Sequence, residues 1–254
     1  MKIDFHKYQA AGNDFILLDN RSGNFPLQPK LIAEFCDRRF GIGADGLILL
    51  ENDDNQAFKV VYFNPDGSQS LCGNGCRAAL RFAETLELAN GAVNFEAHDG
   101  VHNAKIDGET IQLGMANVQN GRQIEDGIFL DTGSPHYVLF VDDLDNTDVL
   151  GIGRKWRYSG HFSEGANVNF VQINGPNELS VRTYERGVEN ETLSCGTGVT
   201  AAALAASLHG VKSPVKIHAR GGTLSVAFEA TADMFINIVL EGPAEHVFSG
   251  EIEV

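Results

Sequence analysis

The feature that most constrains this chain is a motif it carries twice, Cys72-Gly73-Asn74-Gly75 and Cys195-Gly196-Thr197-Gly198, about half a chain length apart. The first copy ends the stretch FKVVYFNPDGSQSLCGNG and the second ends LSVRTYERGVENETLSCGTG. Both stretches open as a strand-like run, pass through polar turn residues and lead into a helical pattern. Further strands with a glycine turn follow in each half. A repeat of such long period signals duplicated architecture. Two similar α/β domains are expected, each with strands wrapped round a central helix that begins just after a cysteine. A duplicated site of this kind is expected to face itself across the cleft between the domains.

The residue types in the motif suit one kind of chemistry. Glycine lets backbone approach a ligand closely. A helix N-terminus offers unpaired N–H donors and the positive end of the helix dipole, which attract a carboxylate and favour a nearby thiolate. A free cysteine titrates at about 8.5, and the field of a helix end brings it nearer working pH. Two such cysteines on opposite sides of an amino acid can invert its α-carbon. One thiolate removes the proton, and the opposite thiol returns one to the other face. Helix-end N–H groups aimed at the substrate carboxylate would stabilise the enediolate-like charge that develops. A single motif of this type is more often a small hydrophobe at a tight turn; the matched pair carries the functional reading.

Composition narrows the alternatives. A chain of 254 residues with 43% hydrophobic content can build one large domain or two ordinary ones. Its formal net charge of −15 and lack of a Lys/Arg cluster argue against nucleic acid as a partner. The opening MKIDFHKYQA has no apolar run of signal-peptide length, and the longest mostly apolar run, 199–208, is too short for a membrane span. A cytoplasmic setting with reduced thiols is therefore expected. Cys36 falls within a helical pattern over 31–40 and reads as core. Cys76 follows Cys72 by four positions, but no second ligand pair completes a metal site. GIGADG at 41–46 matches a dinucleotide fingerprint in letters only, because a helix precedes it and a strand follows. Helices are expected over 77–88 and 198–208. Asn13, in a turn, and His136, after Ser134-Pro135, are candidates beside the thiols. Asn64 and the pair Glu185-Arg186 end comparable strands upstream of the two cysteines, and Arg186 can hold a carboxylate by two prongs.

Together these segments resemble the diaminopimelate epimerase family, with proline racemase as a more distant relative of the same fold. The resemblance covers nearly the whole chain. Its motifs are GNDF at 12–15, GIGADG, FNPDGSQSLCGNG, GSPH at 133–136, Asn167 in GANVNF, YERG at 184–187 and SCGTG at 194–198. It implies a cofactor-independent two-thiol epimerase that interconverts LL- and meso-2,6-diaminopimelate, in lysine and peptidoglycan-precursor synthesis. It also implies an α+β fold of two pseudo-symmetric domains, each a mostly antiparallel, β-barrel-like sheet round a central helix. The C-terminal strand returns to the first domain, giving boundaries of 1–115 with 243–254, and 116–242. By the same resemblance Cys72 and Cys195 are the acid–base pair, assisted by His136 and Glu185. Asn13, Asn64, Gly73, Asn74, Asn167, Glu185, Arg186, Gly196 and Thr197 bind substrate, no metal or other cofactor is required, and the assembly is a homodimer. Gly46 and Ser134 depart from the family pattern, where many members carry Gln and Asn. Racemisation of another amino acid, such as proline or histidine, and non-catalytic binding of an amino acid or metal are the competing readings.

Overall fold

A computed structural model describes residues 2–253. The first part contains β1 (Lys2–Ala10), β2 (Asn13–Asp19), α1 (Pro29–Cys36), β3 (Gly46–Glu51), β4 (Lys59–Phe63), α2 (Gly73–Thr85), β5 (Ala92–Ala97), β6 (Gly100–Asp107) and β7 (Thr110–Gly114). Next come β8 (Val118–Gln119), β9 (Arg122–Ile124), β10 (Gly127–Asp131), β11 (Pro135–Phe140), α3 (Val149–Arg157), β12 (Asn167–Gly175) and β13 (Glu178–Glu185). Then follow β14 (Asn190–Thr192), α4 (Gly196–Ser207), β15 (Val215–Ala219), β16 (Gly222–Ala230), β17 (Met234–Pro243) and β18 (Glu245–Glu253). Two compact units emerge, Met1–Leu113 with Gly242–Val254, and Gly114–Glu241.

The N-terminal unit orders its strands β18-β1-β2-β3-β4-β5-β6-β7. All neighbours are antiparallel except β2–β3 and β4–β5. Parallel neighbours need a crossover connection, and those two joins are where α1 and α2 are inserted. The C-terminal unit runs β9-β10-β11-β12-β13-β15-β16-β17-β8. Its parallel joins, β11–β12 and β13–β15, again carry the helices α3 and α4. The two units thus repeat one topology. β18 enters the first unit from the far end of the chain and pairs with β1 from Lys2↔Glu253 to Gln9↔Glu245.

Pairing register fixes which residues correspond. Phe15 lies opposite Gly46 as His136 lies opposite Asn167. Ile48 lies opposite Tyr62 as Asn169 lies opposite Thr183. In each unit the second helix fills the middle: α2 packs against β1, β2, β3, β4 and β18, and α4 against β10 to β13, β15 and β16. Every residue of α4 from Gly196 to Ala206 is buried, and its alanines let strands approach from all sides.

Both central helices begin earlier than periodicity suggests, at Gly73 rather than 77 and at Gly196 rather than 198. Glycine is a poor helix former, so local propensity hides these first turns. Packing leaves little room for anything larger there. A Cβ on Gly75 would sit 3.3 Å from Ile48 Cδ1, and one on Gly198 would sit 2.5 Å from Asn169 Oδ1. Helix α1 stops at Cys36, short of the expected 40, because the GIGADG loop caps it: the amides of Ile42 and Gly43 bond to Phe35 O, and that of Ala44 to Cys36 O. Helix α3 was not expected from the sequence; Asp148 caps it through Gly151 N, and the Trp156 ring packs tilted against Tyr137, centroids 4.5 Å apart.

Candidate active site

The two cysteines occupy the same local position. Cys72 is the N-cap of α2 with φ −130° and ψ 106°, and Cys195 is the N-cap of α4 with φ −125° and ψ 114°. Each sulfur therefore lies at the end of a helix where the backbone N–H groups are unpaired within the helix and the dipole is positive.

Around Cys72 the partners are amides. Gly75 N donates to its sulfur at 3.3 Å, and the sulfur donates to Asn13 Oδ1 at 3.8 Å. Asn74 Nδ2 also donates to Asn13 Oδ1, at 3.3 Å, while Asn13 Nδ2 donates to Asp45. Behind Asn74 stands Arg77, fully buried, whose Nη2 donates to Asn74 Oδ1 at 2.9 Å. Burial pulls the Arg77 guanidinium down to about 10, yet it stays charged at neutral pH. Asn13 is itself anchored by a charged cluster. Asp14 accepts from Arg38 at 2.6 Å and pairs with Lys7 at 2.7 Å, and Arg38 also reaches Asp45 at 2.7 Å. Burial pushes the Asp14 carboxyl up, but Arg38 and Lys7 outweigh it and hold it well below the usual carboxylate range.

Around Cys195 the partners are a hydroxyl and a ring. The sulfur lies 3.5 Å from Thr197 Oγ1, which lies 2.9 Å from His136 Nε2. His136 Nδ1 lies 3.1 Å from Asn169 Nδ2, and Asn169 Oδ1 accepts from Thr183 Oγ1 at 3.0 Å. Burial, with a smaller contribution from the Arg186 charge, pulls the His136 ring down to about 3, so it is neutral. Thr132 Oγ1 donates to Thr197 O at 2.8 Å and steadies the first turn of α4.

The other candidates frame these two centres. Asn167 Oδ1 accepts from Arg186 N at 2.8 Å while its Nδ2 donates to Pro135 O at 3.3 Å, tying the end of β13 to the start of β11. The Arg186 guanidinium stands 3.9 Å from the Glu164 carboxylate. Glu185 accepts from Thr192 Oγ1 at 2.8 Å. Asn64 turns its amide into its own loop, donating to Ser68 Oγ at 3.0 Å and Ser70 Oγ at 3.3 Å. Above Gly46 lies the ring of Tyr62, so that a Cβ there would come within 2.4 Å of Tyr62 Cε2, and the Tyr62 hydroxyl donates to Asp45 O at 3.3 Å. Tyr62 thus fills the space a larger residue at 46 would need. Sequence reasoning missed Asn169 and Thr183. The signal for Asn169 was present: Asn167 and Asn169 share one face of β12 by two-residue spacing.

Cys36 and Cys76 lie outside this chemistry. Burial pushes the Cys36 thiol up to about 11 and raises that of Cys76 still further. GIGADG has α1 before it and β3 after it, the reverse of a dinucleotide loop. Among the described residues, no group of three or more His, Cys, Asp or Glu could hold a metal ion, and no helix is long and apolar enough to cross a membrane.

Comparison with known proteins places the chain among relatives. The family model described as diaminopimelate epimerase matches residues 5–120 and 128–247. A diaminopimelate epimerase of Flavobacterium psychrophilum is 50% identical, over 98% of this chain and 100% of the relative. That of Chlorobaculum tepidum is 43% identical, over 96% of this chain and 98% of the relative. Among solved structures, a PhzF-family phenazine biosynthesis protein of Bacillus anthracis superposes with a TM-score of 0.77 at 14% identity, each chain fully covered. That likeness is one of fold.

Proposed function

The chain belongs to the diaminopimelate epimerase family and is an isomerase, and from that premise we propose that it interconverts LL- and meso-2,6-diaminopimelate with Cys72 and Cys195 as its acid and base. The observation that carries the mechanism is the pair of cysteines capping the two central helices with nearly identical backbone geometry. In one direction the Cys72 thiolate takes the α-proton and the Cys195 thiol delivers one to the opposite face. The roles exchange in reverse. This requires each sulfur to reach one face of the substrate α-carbon.

The difficulty is the weak acidity of a Cα–H beside a carboxylate. The N–H groups of Gly73-Asn74 and Gly196-Thr197, at the helix starts, are the donors this reading assigns to that carboxylate and to the charge it gains in the transition state. Both proton carriers are side chains of the chain itself, so the reading needs neither pyridoxal phosphate nor metal. Arg186 holds the distal carboxylate, with Asn64, Asn167 and Glu185 around the distal amino-carboxylate end, and Asn13 lies beside Cys72. A substrate with two amino-carboxylate ends is preferred because the two halves differ at these positions. On this reading the enzyme works in the cytoplasm as a homodimer, in lysine and peptidoglycan-precursor synthesis.

The test is hydrogen exchange at Cα in deuterated water, with LL-diaminopimelate and purified, chelator-treated protein. Exchange and epimerisation are expected, and Cys72→Ala or Cys195→Ala should stop the latter. If neither substitution slows epimerisation, the two-thiol mechanism is wrong. Mild oxidation is expected to inactivate by joining Cys72 to Cys195, and light scattering reads the dimer. Racemisation of proline or histidine instead would show in a chiral substrate panel.

A further inference from the structure

The Cys195 centre contains a chain of hydrogen bonds whose direction can be worked out. It starts from a group with no ambiguity. The Tyr137 carbonyl can only accept, and it lies 3.5 Å from Asn169 Nδ2. The nitrogen of the Asn169 amide must therefore face Tyr137, and the same nitrogen faces His136 Nδ1 at 3.1 Å. The other end agrees, because Asn169 Oδ1 accepts the Thr183 hydroxyl. His136 Nδ1 is thus an acceptor. Held neutral, the ring carries its proton on Nε2 and donates it to Thr197 Oγ1. One lone pair of the Thr197 oxygen is then occupied, and its own proton is free to point at Cys195 Sγ, 3.5 Å away.

We infer that Asn169 is a positioning residue for Cys195: by fixing His136 as its Nε2–H tautomer, it commits the Thr197 hydroxyl proton to the sulfur and so favours the thiolate. The inference deepens the proposed role of Cys195 and rests on it. No proton travels along the chain of bonds; the sulfur exchanges its proton with the substrate alone. His136 accordingly acts through Thr197, as a neutral donor. Gly198 belongs to the same device, since any side chain there would displace Asn169. The register counterparts in the other unit, Phe15, Ile48 and Tyr62, do not reproduce this His–Asn–Thr series.

The experiment measures alkylation of single thiols, which needs no turnover, so that failure of the epimerase reading would leave it interpretable. In a Cys72→Ser background, iodoacetamide modification of Cys195 at neutral pH is followed by mass spectrometry. Asn169→Asp puts an acceptor against Nδ1, reverses the tautomer and turns the Thr197 proton toward the ring. The expected result is about tenfold slower alkylation. Thr197→Val should slow it comparably, and Thr197→Ser should restore the parent rate. In a Cys195→Ser background, Asn169→Asp should leave Cys72 alkylation unchanged. With both cysteines present, Asn169→Asp should lower kcat more than it alters KM. The inference is overturned if Thr197→Val leaves the Cys195 rate within about twofold of its parent. It is equally overturned if Asn169→Asp spares Cys195 or slows both thiols alike.

Discussion

Beneath Cys195 lie His136, Asn169 and Thr183; at the same register positions beneath Cys72 lie Phe15, Ile48 and Tyr62. One helix start rests on a polar series and the other on a largely apolar surface, although the two backbones repeat. The divergence continues on the helices. Arg77, buried behind Cys72, has Thr200 as its counterpart five residues after Cys195, where the hydroxyl bonds to Gly196 O at 2.9 Å. What the halves share is a sulfur at a helix end. How each sulfur is governed differs: amides and a buried cation on one side, a hydroxyl fed by a neutral ring on the other. A duplicated fold can thus keep two sulfurs in place and surround each differently.

The comparison breaks most sharply if one cysteine is dispensable. Cys72→Ala and Cys195→Ala are each expected to lower kcat by about a thousandfold or more, the upper range for a lost acid or base. Retention of activity in either variant, in a coupled epimerase assay, would reduce the pair to a single base. Next in size is a change that imposes one half's residue on the other. Ile48→Asn places an amide in the buried position opposite Tyr62, against Gly75, and should cost about 3 kcal/mol in urea unfolding. A neutral result would mean that the apolar surface under Cys72 carries no structural demand.

Smaller effects sharpen the contrast. Arg186→Ala is expected to lower kcat/KM by roughly 10- to 100-fold, mostly through KM, as loss of a charged hydrogen bond does. Pro65, the residue that follows Asn64 as Arg186 follows Glu185, should tolerate Ala within about twofold. Acid provides the most gradual test, read one pH unit at a time. His136 titrates near 6.5 when unfolded and near 3 when folded. The unfolded chain therefore takes up the proton first, and stability is lost as pH falls from 6.5 toward 3, by at most about 1.4 kcal/mol per pH unit. Asp14 is depressed by its cations from 3.8, so its contribution is complete above that value and fades only below it. Urea unfolding at stepped pH should show His136→Gln flattening the slope that begins near neutrality. Asp14→Asn should alter only the more acidic limb.

Much of this plan is legible in the residues. The repeated Cys-Gly motif marks both helix starts, and turn chemistry at Asn64-Pro65-Asp66-Gly67 marks the end of β4, with Gly67 N bonding to Asn64 O at 2.9 Å. Where propensity and packing disagree, reading fails. The turns that open at Gly73 and Gly196 look like loop and are helix; within them Gly75 and Gly198 face Ile48 and Asn169 too closely to leave room for a larger residue. α3 hides for the same reason: Gly153 interrupts its pattern so that the helix can lie against Tyr184 Cβ, 2.5 Å from where its own Cβ would be. The Lys7, Asp14, Arg38 and Asp45 cluster has no local signature at all. Its members are scattered along the chain and meet only when β1, β2 and the GIGADG loop are in place.

The pairing of β18 with β1 carries a consequence for synthesis on the ribosome. The C-terminal unit is one unbroken stretch, 114–241, whereas the N-terminal unit lacks an edge strand until 245–253 has been made. Although translated first, the N-terminal unit completes its sheet last. Until then the nascent chain displays β1 as an unpaired edge, the kind of exposed strand that chaperones cover.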